Sequence, residues 1–130
     1  MGLRHTLRLT ENEWAVYQNG LRLFLESERF VRRTEFHTIM GTYPEELRTA
    51  LDQSVVQMDG GGVELPKDLV KEFVKLIGLF FLSYPFSNRA AAEIETRIGL
   101  REEQLLILKG DLRVRLGLRR KSGPPPTGGV

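Results

Sequence analysis

The most regular pattern of apolar and polar positions lies between residues 66 and 84. Apolar side chains recur there every three or four positions, as on one face of a helix of about five turns. They are Leu69, Val70, Phe73, Val74, Ile77, Phe80, Phe81 and Tyr84. Residues 76–82 are apolar nearly all round, so such a helix cannot lie on the surface. We therefore predict a central helix over residues 66–84, with Pro66 in its first turn and Pro85 ending it.

Three helical segments are predicted before the central one. Thr10 and Glu13 have the spacing of a capping box, and apolar residues follow at helical intervals from Trp14 onward. A charge-rich segment then continues or restarts a helix towards Met40, where Gly41 predicts its end. Another helix is expected from Pro44 to the break at Asp59 and its three following glycines.

Two further helices are predicted after the central one. The first begins at Ser87 or Asn88 and runs to Ile98, before Gly99. The second covers residues 101–109, and Gly110 predicts its end.

Residues 3–9 and 112–118 alternate apolar and polar side chains, which is typical of short strands. A lone strand leaves backbone groups unpaired, so we expect the two segments to pair antiparallel. The predicted fold is mainly α (α+β): a single-domain helical bundle around helix 66–84, with a small two-stranded sheet from the chain ends. The domain is expected to cover residues 1–118, followed by a disordered basic tail, rich in proline and glycine, over residues 119–130.

Composition narrows the classes of function. The 130 residues include no cysteine, which excludes disulfide scaffolds, cysteine-ligated zinc, iron–sulfur clusters and thiol nucleophiles. The N-terminus is charged within four residues, and the longest uncharged run, residues 76–88, is too short to cross a bilayer. We therefore expect a cytoplasmic protein without a membrane partner.

Charge and one motif suggest nucleic acid as an alternative partner. Residues 87–130 carry 9 basic and 5 acidic side chains, and residues 90–109 fit a helix-turn-helix template with Gly99 at the turn. The possible contacts would be Arg101, Gln104, Lys109, Arg119, Arg120 and Lys121. Glu102 and Glu103 would repel a phosphate backbone, and residues 36–50 fit the same template about as well. A DNA-binding regulator is therefore the second choice.

Little in the sequence indicates catalysis. His5 and His37 are the only histidines, and catalysis would need a base held near a nucleophile or metal by further polar partners. Glu35 lies two residues before His37, a spacing that puts the two on different sides of a helix. The triple glycine at 60–62 is not followed by the Gly-Lys-Ser/Thr of a phosphate-binding loop. We expect no enzyme activity, no cofactor and no metal, and an enzyme with an unrecognised site is a third choice.

The apolar surplus around residues 76–86 favours a binding role. Phe80, Phe81, Tyr84 and Phe86 are the candidate residues of a partner interface. The sequence thus predicts a non-catalytic regulatory or protein-protein interaction module, homo-oligomeric and most simply a homodimer.

Overall fold

The computed structural model describes residues 6–26, 31–83 and 88–117. Within those residues the chain forms six α-helices and three short strands. In chain order they are β1 (Thr6–Leu9), α1 (Glu11–Glu26), α2 (Arg33–Met40), α3 (Pro44–Ser54), β2 (Val56–Gln57), β3 (Val63–Pro66), α4 (Lys67–Ser83), α5 (Asn88–Ile98) and α6 (Glu102–Arg115). The predicted mainly α (α+β) fold is confirmed.

The sheet is antiparallel, with β3 between β1 and β2. Leu9 pairs with Val63 on one side, and Val56 pairs with Glu64 on the other. The triple glycine forms the turn between β2 and β3, where Gly60 and Gly61 have φ angles of 86° and 90°. Glycine suits this turn because other residues rarely adopt a positive φ.

The predicted pairing of the two chain ends is wrong. The partner of β1 is β3, and residues 112–115 belong to α6 instead of a strand. Leu105, Leu112 and Leu116 are buried at spacings of seven and four, which suit a helical period of 3.6 residues. Gly110 therefore lies inside α6 and does not end it.

The central position of α4 is confirmed. This helix packs against α1, α2, α5, α6 and the strands β1 and β3. Its buried side chains are Val70, Phe73, Val74, Leu76, Ile77, Leu79 and Phe80. Pro66 differs from its predicted place, because it is the last residue of β3 and the helix begins at Lys67.

Aromatic contacts join α1 to α4. The ring of Tyr17 stacks on Phe73 at 4.2 Å between centroids, and its hydroxyl donates a hydrogen bond of 2.6 Å to the carbonyl of Leu69. Phe24 stacks on Phe80 at 5.6 Å. These rings belong to one buried cluster that includes residues of every described helix.

The domain boundary at residue 118 stays a prediction, since the expected tail, 119–130, lies outside the described residues.

The helices near the chain start largely follow the predicted pattern. Thr10 and Glu13 form the expected capping box: the Thr10 amide donates to Glu13 Oε1 at 2.9 Å and the Glu13 amide to Thr10 Oγ1 at 3.1 Å. The helix before Gly41 begins at Arg33, so it restarts after α1.

Candidate interaction surface on helix α6

Helix α6 is apolar on two opposite sides. Leu105, Leu112 and Leu116 face the core, and the helix rests mainly on α4. On the opposite side, Ile107 is 72% exposed, Val114 66% and Leu106 52%. Among residues 6–26, 31–80 and 92–117, whose side-chain burial the structure describes, these are the three most exposed large apolar side chains, followed by Val56 and Ile39. The outward side of α6 is thus the main apolar surface that these residues leave open.

The outward residues have the spacing of a helix-pairing seam. Ile107 and Val114 are seven residues apart, and Gly110 lies between them. At 100° per residue, Ile107, Gly110 and Val114 fall within roughly 60° of the helix circumference. Intervals of three and four residues are those of the a and d positions of a coiled coil. Glu103 continues the pattern one turn earlier. We call Glu103, Leu106, Ile107, Gly110 and Val114 the α6 seam.

Hydrogen bonds and ion pairs fix α6 at both ends. At its start, the amide of Arg101 donates to Gln104 Oε1 at 2.8 Å. At its end, Arg115 Nη1 donates to the carbonyl of Arg8 at 3.0 Å, and Arg115 Nη2 lies 2.7 Å from Glu13 Oε2. The α6 seam is therefore presented on a helix anchored to β1 and α1.

The structure describes the surroundings of one of the four residues in the sequence-predicted interface, Phe80. Phe80 is fully buried against Phe24, so it belongs to the core of this chain. Phe81 lies in α4, while Tyr84 and Phe86 lie outside the described residues. A partner surface around those last three residues stays a prediction.

Three of the six predicted nucleic-acid residues, Arg101, Gln104 and Lys109, lie within the described residues. Arg101 precedes α6, and its backbone amide donates a hydrogen bond to the side-chain Oε1 of Gln104. This side-chain oxygen is therefore engaged in capping the helix. Lys109 lies near Gly78 of α4. A Cβ placed on Gly78 would stand 3.9 Å from the Nζ of Lys109. Arg119, Arg120 and Lys121 lie outside the described residues.

The packing of α5 and α6 also differs from a helix-turn-helix unit. In that unit the two helices pack on each other, whereas here α5 rests mainly on α1 and α6 mainly on α4. The outward side of α6 carries apolar side chains where a recognition helix would present donors and acceptors to bases. Duplex binding stays an untested alternative that this packing does not favour.

The only histidine within the described residues lies in a surface cluster between α2 and α3. The His37 ring lies 4.4 Å from that of Tyr43, and the Arg33 guanidinium stands 4.6 Å over the same ring. Arg33 also pairs with Glu45 at 2.5 Å, and this hydrogen bond lowers the pKa of the Glu45 carboxyl. The cluster joins two helix ends.

The described residues form no metal-binding group at that cluster, and the groove beside it is open. Among the described residues, no three histidine or carboxylate side chains are grouped so that they could hold a metal ion. A shallow groove beside the cluster is lined by Glu45, Glu46, Thr49, Ala50 and Gln53, all on α3. Such an open groove on a single helix does not enclose a substrate.

The sequence contained a signal for the α6 seam that the strand interpretation obscured. A strand over residues 112–118 would place Val114 on the same apolar face as Leu112, yet Val114 is exposed on α6. Leu105, Leu112 and Leu116 define one side of a helix, and Ile107, Gly110 and Val114 define the other. A helical period of 3.6 residues predicts both apolar stripes.

Comparisons of the chain with protein-family models, with curated proteins and with solved structures found no significant match. Within the described residues, no helix has the length and apolar composition that crossing a bilayer requires.

Proposed function

We propose that this protein is a non-catalytic protein-interaction module that associates with itself through the α6 seam. The observation that carries the proposal is the exposure of Ile107 and Val114 at heptad spacing on the outward side of a helix whose other side is already in the core. Burial of a large aliphatic side chain contributes about 1.5–3 kcal/mol. Two copies would together bury four such side chains, with Leu106 at the margin.

The size of the surface sets the expected affinity. Helix α6 has 14 residues and is therefore about 21 Å long. Stable interfaces usually bury at least about 1,000 Å², and one pair of short helices lies near or below that limit. We therefore expect a reversible oligomer with a dissociation constant on the order of micromolar, as suits a regulatory contact.

Sedimentation velocity over about 1–200 μM tests the proposal directly. The wild-type chain should shift from monomer to dimer with concentration. Ile107→Lys and Val114→Lys should each keep the protein monomeric, because a charged group would be buried at the centre of the contact. Lysine is compatible with the helix itself, since Glu103 and Asp111 lie within four residues of these positions.

Ile39→Lys is the matched control. Ile39 is 42% exposed on α2 and has Glu35 four residues before it, as Ile107 has Glu103. This variant should dimerise like the wild type, with circular dichroism showing that all three variants are folded. A wild-type chain that stays monomeric, or a dimer that the α6 substitutions leave intact, would refute the proposal.

A further inference from the structure

We infer that the partner of the α6 seam is a second copy of the same helix in antiparallel orientation, related by a two-fold axis between Ile107 and Gly110. The inference rests on the proposed function and specifies its geometry. It assigns Gly110 as the site that receives Ile107 of the other copy, and Glu103 and Arg113 as the charges that determine the orientation.

The first argument is the fit of side-chain sizes. When two seams run antiparallel, a and d positions alternate across the contact, so Ile107 of each copy faces Gly110 of the other. Apart from the backbone of α6 and the two residues next to Gly110, no atom of the described structure lies within 4 Å of the place where a Cβ on Gly110 would stand, so the space above this residue is open. A parallel, in-register pair would instead place the two glycines opposite each other and leave a gap.

The second argument is charge. Helix α6 has Glu102 and Glu103 in its first turn and Arg113 and Arg115 in its last turn. An antiparallel pair brings Glu103 of one copy beside Val114 and Arg113 of the other, whereas a parallel pair brings Glu103 against Glu103. The helix dipoles also oppose each other in the antiparallel arrangement.

The charged groups needed for this contact are available. Glu103 is exposed, and its nearest cation, Arg101 Nε, is 3.9 Å away on a side chain that is itself largely exposed. Arg113 has no ion pair with any residue in the part of the chain that the structure describes. Arg115, by contrast, is engaged with Glu13 and Asp111.

Cysteine cross-linking separates the two orientations, and the chain has no cysteine of its own. One preparation carries Glu103→Cys, and a second, lengthened by a tag, carries Val114→Cys. In the antiparallel pair these two positions face each other, so mixing the preparations should yield the mixed disulfide. Either variant alone should yield only background disulfide. In the antiparallel pair, the same position in the two copies is separated by eleven residues, or roughly 16 Å along the helix axis. A disulfide needs Cα atoms within about 7 Å.

A charge exchange gives a second, independent readout. Glu103→Arg and Arg113→Glu should each weaken the dimer about three- to tenfold, because each replaces two attractive contacts by repulsive ones. The double variant should return to within about threefold of the wild type, since the pairs are restored in reverse. Sedimentation equilibrium at low salt measures all four dissociation constants.

The outcomes distinguish this inference from the proposed function. Efficient disulfide formation by Val114→Cys alone, or a double variant no tighter than its parents, would refute the antiparallel arrangement while the α6 seam stays the contact. A dimer that yields no disulfide in any combination would also refute it. A wild-type chain that remains monomeric would refute the proposed function itself.

Discussion

Arg115 Nη2 lies 2.7 Å from Glu13 Oε2 and so joins residues 102 positions apart in the sequence. Arg115 is in the last turn of α6 and Glu13 in the first turn of α1. The same guanidinium reaches the carbonyl of Arg8 at 3.0 Å and Asp111 at 3.0 Å. The contacts of Arg115 thus attach α6 to β1 and α1.

We expect this ion pair to stabilise the fold measurably, because both side chains are largely shielded from water, with exposures of 28% and 18%. Glu13→Gln keeps an acceptor for the amide of Thr10 and removes the charge. In a double-mutant cycle with Arg115→Gln, measured by guanidinium denaturation, the coupling free energy should be about 1–2 kcal/mol. As a control, Arg113→Gln should change stability by less than about 0.5 kcal/mol in dilute protein. A coupling energy near zero would show that the contact contributes nothing to stability.

Gly20 allows α1 and α4 to approach closely. A Cβ at this position would stand 2.5 Å from Cζ of Phe80, whose ring is buried against Phe24. Gly20→Ala should therefore destabilise the protein by about 1–3 kcal/mol, despite the better helix propensity of alanine. Gly110→Ala, inside α6 with open space around it, should instead stabilise the monomer by up to about 1 kcal/mol. Thermal denaturation in dilute solution measures the change in melting temperature of both variants relative to the wild type. Changes of the same sign would refute the different roles given to Gly20 and Gly110.

The two sides of α6 should respond differently to truncation. Leu112 is fully buried, so Leu112→Ala should cost about 2–5 kcal/mol of unfolding free energy. Val114 is 66% exposed, and Val114→Ala should cost less than about 0.5 kcal/mol in dilute protein. A strand with both residues on its inward face would give two large losses, so chemical denaturation of the two variants distinguishes the helix from the strand.

Tyr17 should make stability fall at alkaline pH. Its burial, with the nearby charge of Glu72 adding to the effect, raises the pKa of the Tyr17 hydroxyl well above 10. An unfolded tyrosine ionises near pH 10. The contribution of the buried, protonated Tyr17 to the free energy of unfolding is therefore complete below that pH, and it is lost as the pH rises towards the higher pKa of the folded state. Tyr17→Phe should reduce the slope of unfolding free energy against pH above about pH 10 by up to 1.4 kcal/mol per unit. Tyr43→Phe is the control, and equal slopes for Tyr17→Phe and the wild type would contradict the prediction.

Local physical chemistry determined much of the fold. The run of apolar residues in α4 was long enough to specify a central helix, because no surface position could tolerate apolar side chains on all sides. The capping box joins Thr10 and Glu13, which are three residues apart, so the sequence alone predicts it. The mainly helical class of the protein follows from such short-range signals.

Only the tertiary structure decided how the chain ends are used. Residues 112–115 carry an alternation that suits a strand and a leucine spacing that suits a helix, and over so few residues the two periods cannot be separated. Packing on α4 and the pairing of Arg115 with Glu13 favour the helix, and β3 supplies β1 with a nearer partner. The sequence of α6 offers two apolar stripes, and only packing on α4 decides that Leu105 and Leu112 are inward and that Ile107 and Val114 are outward.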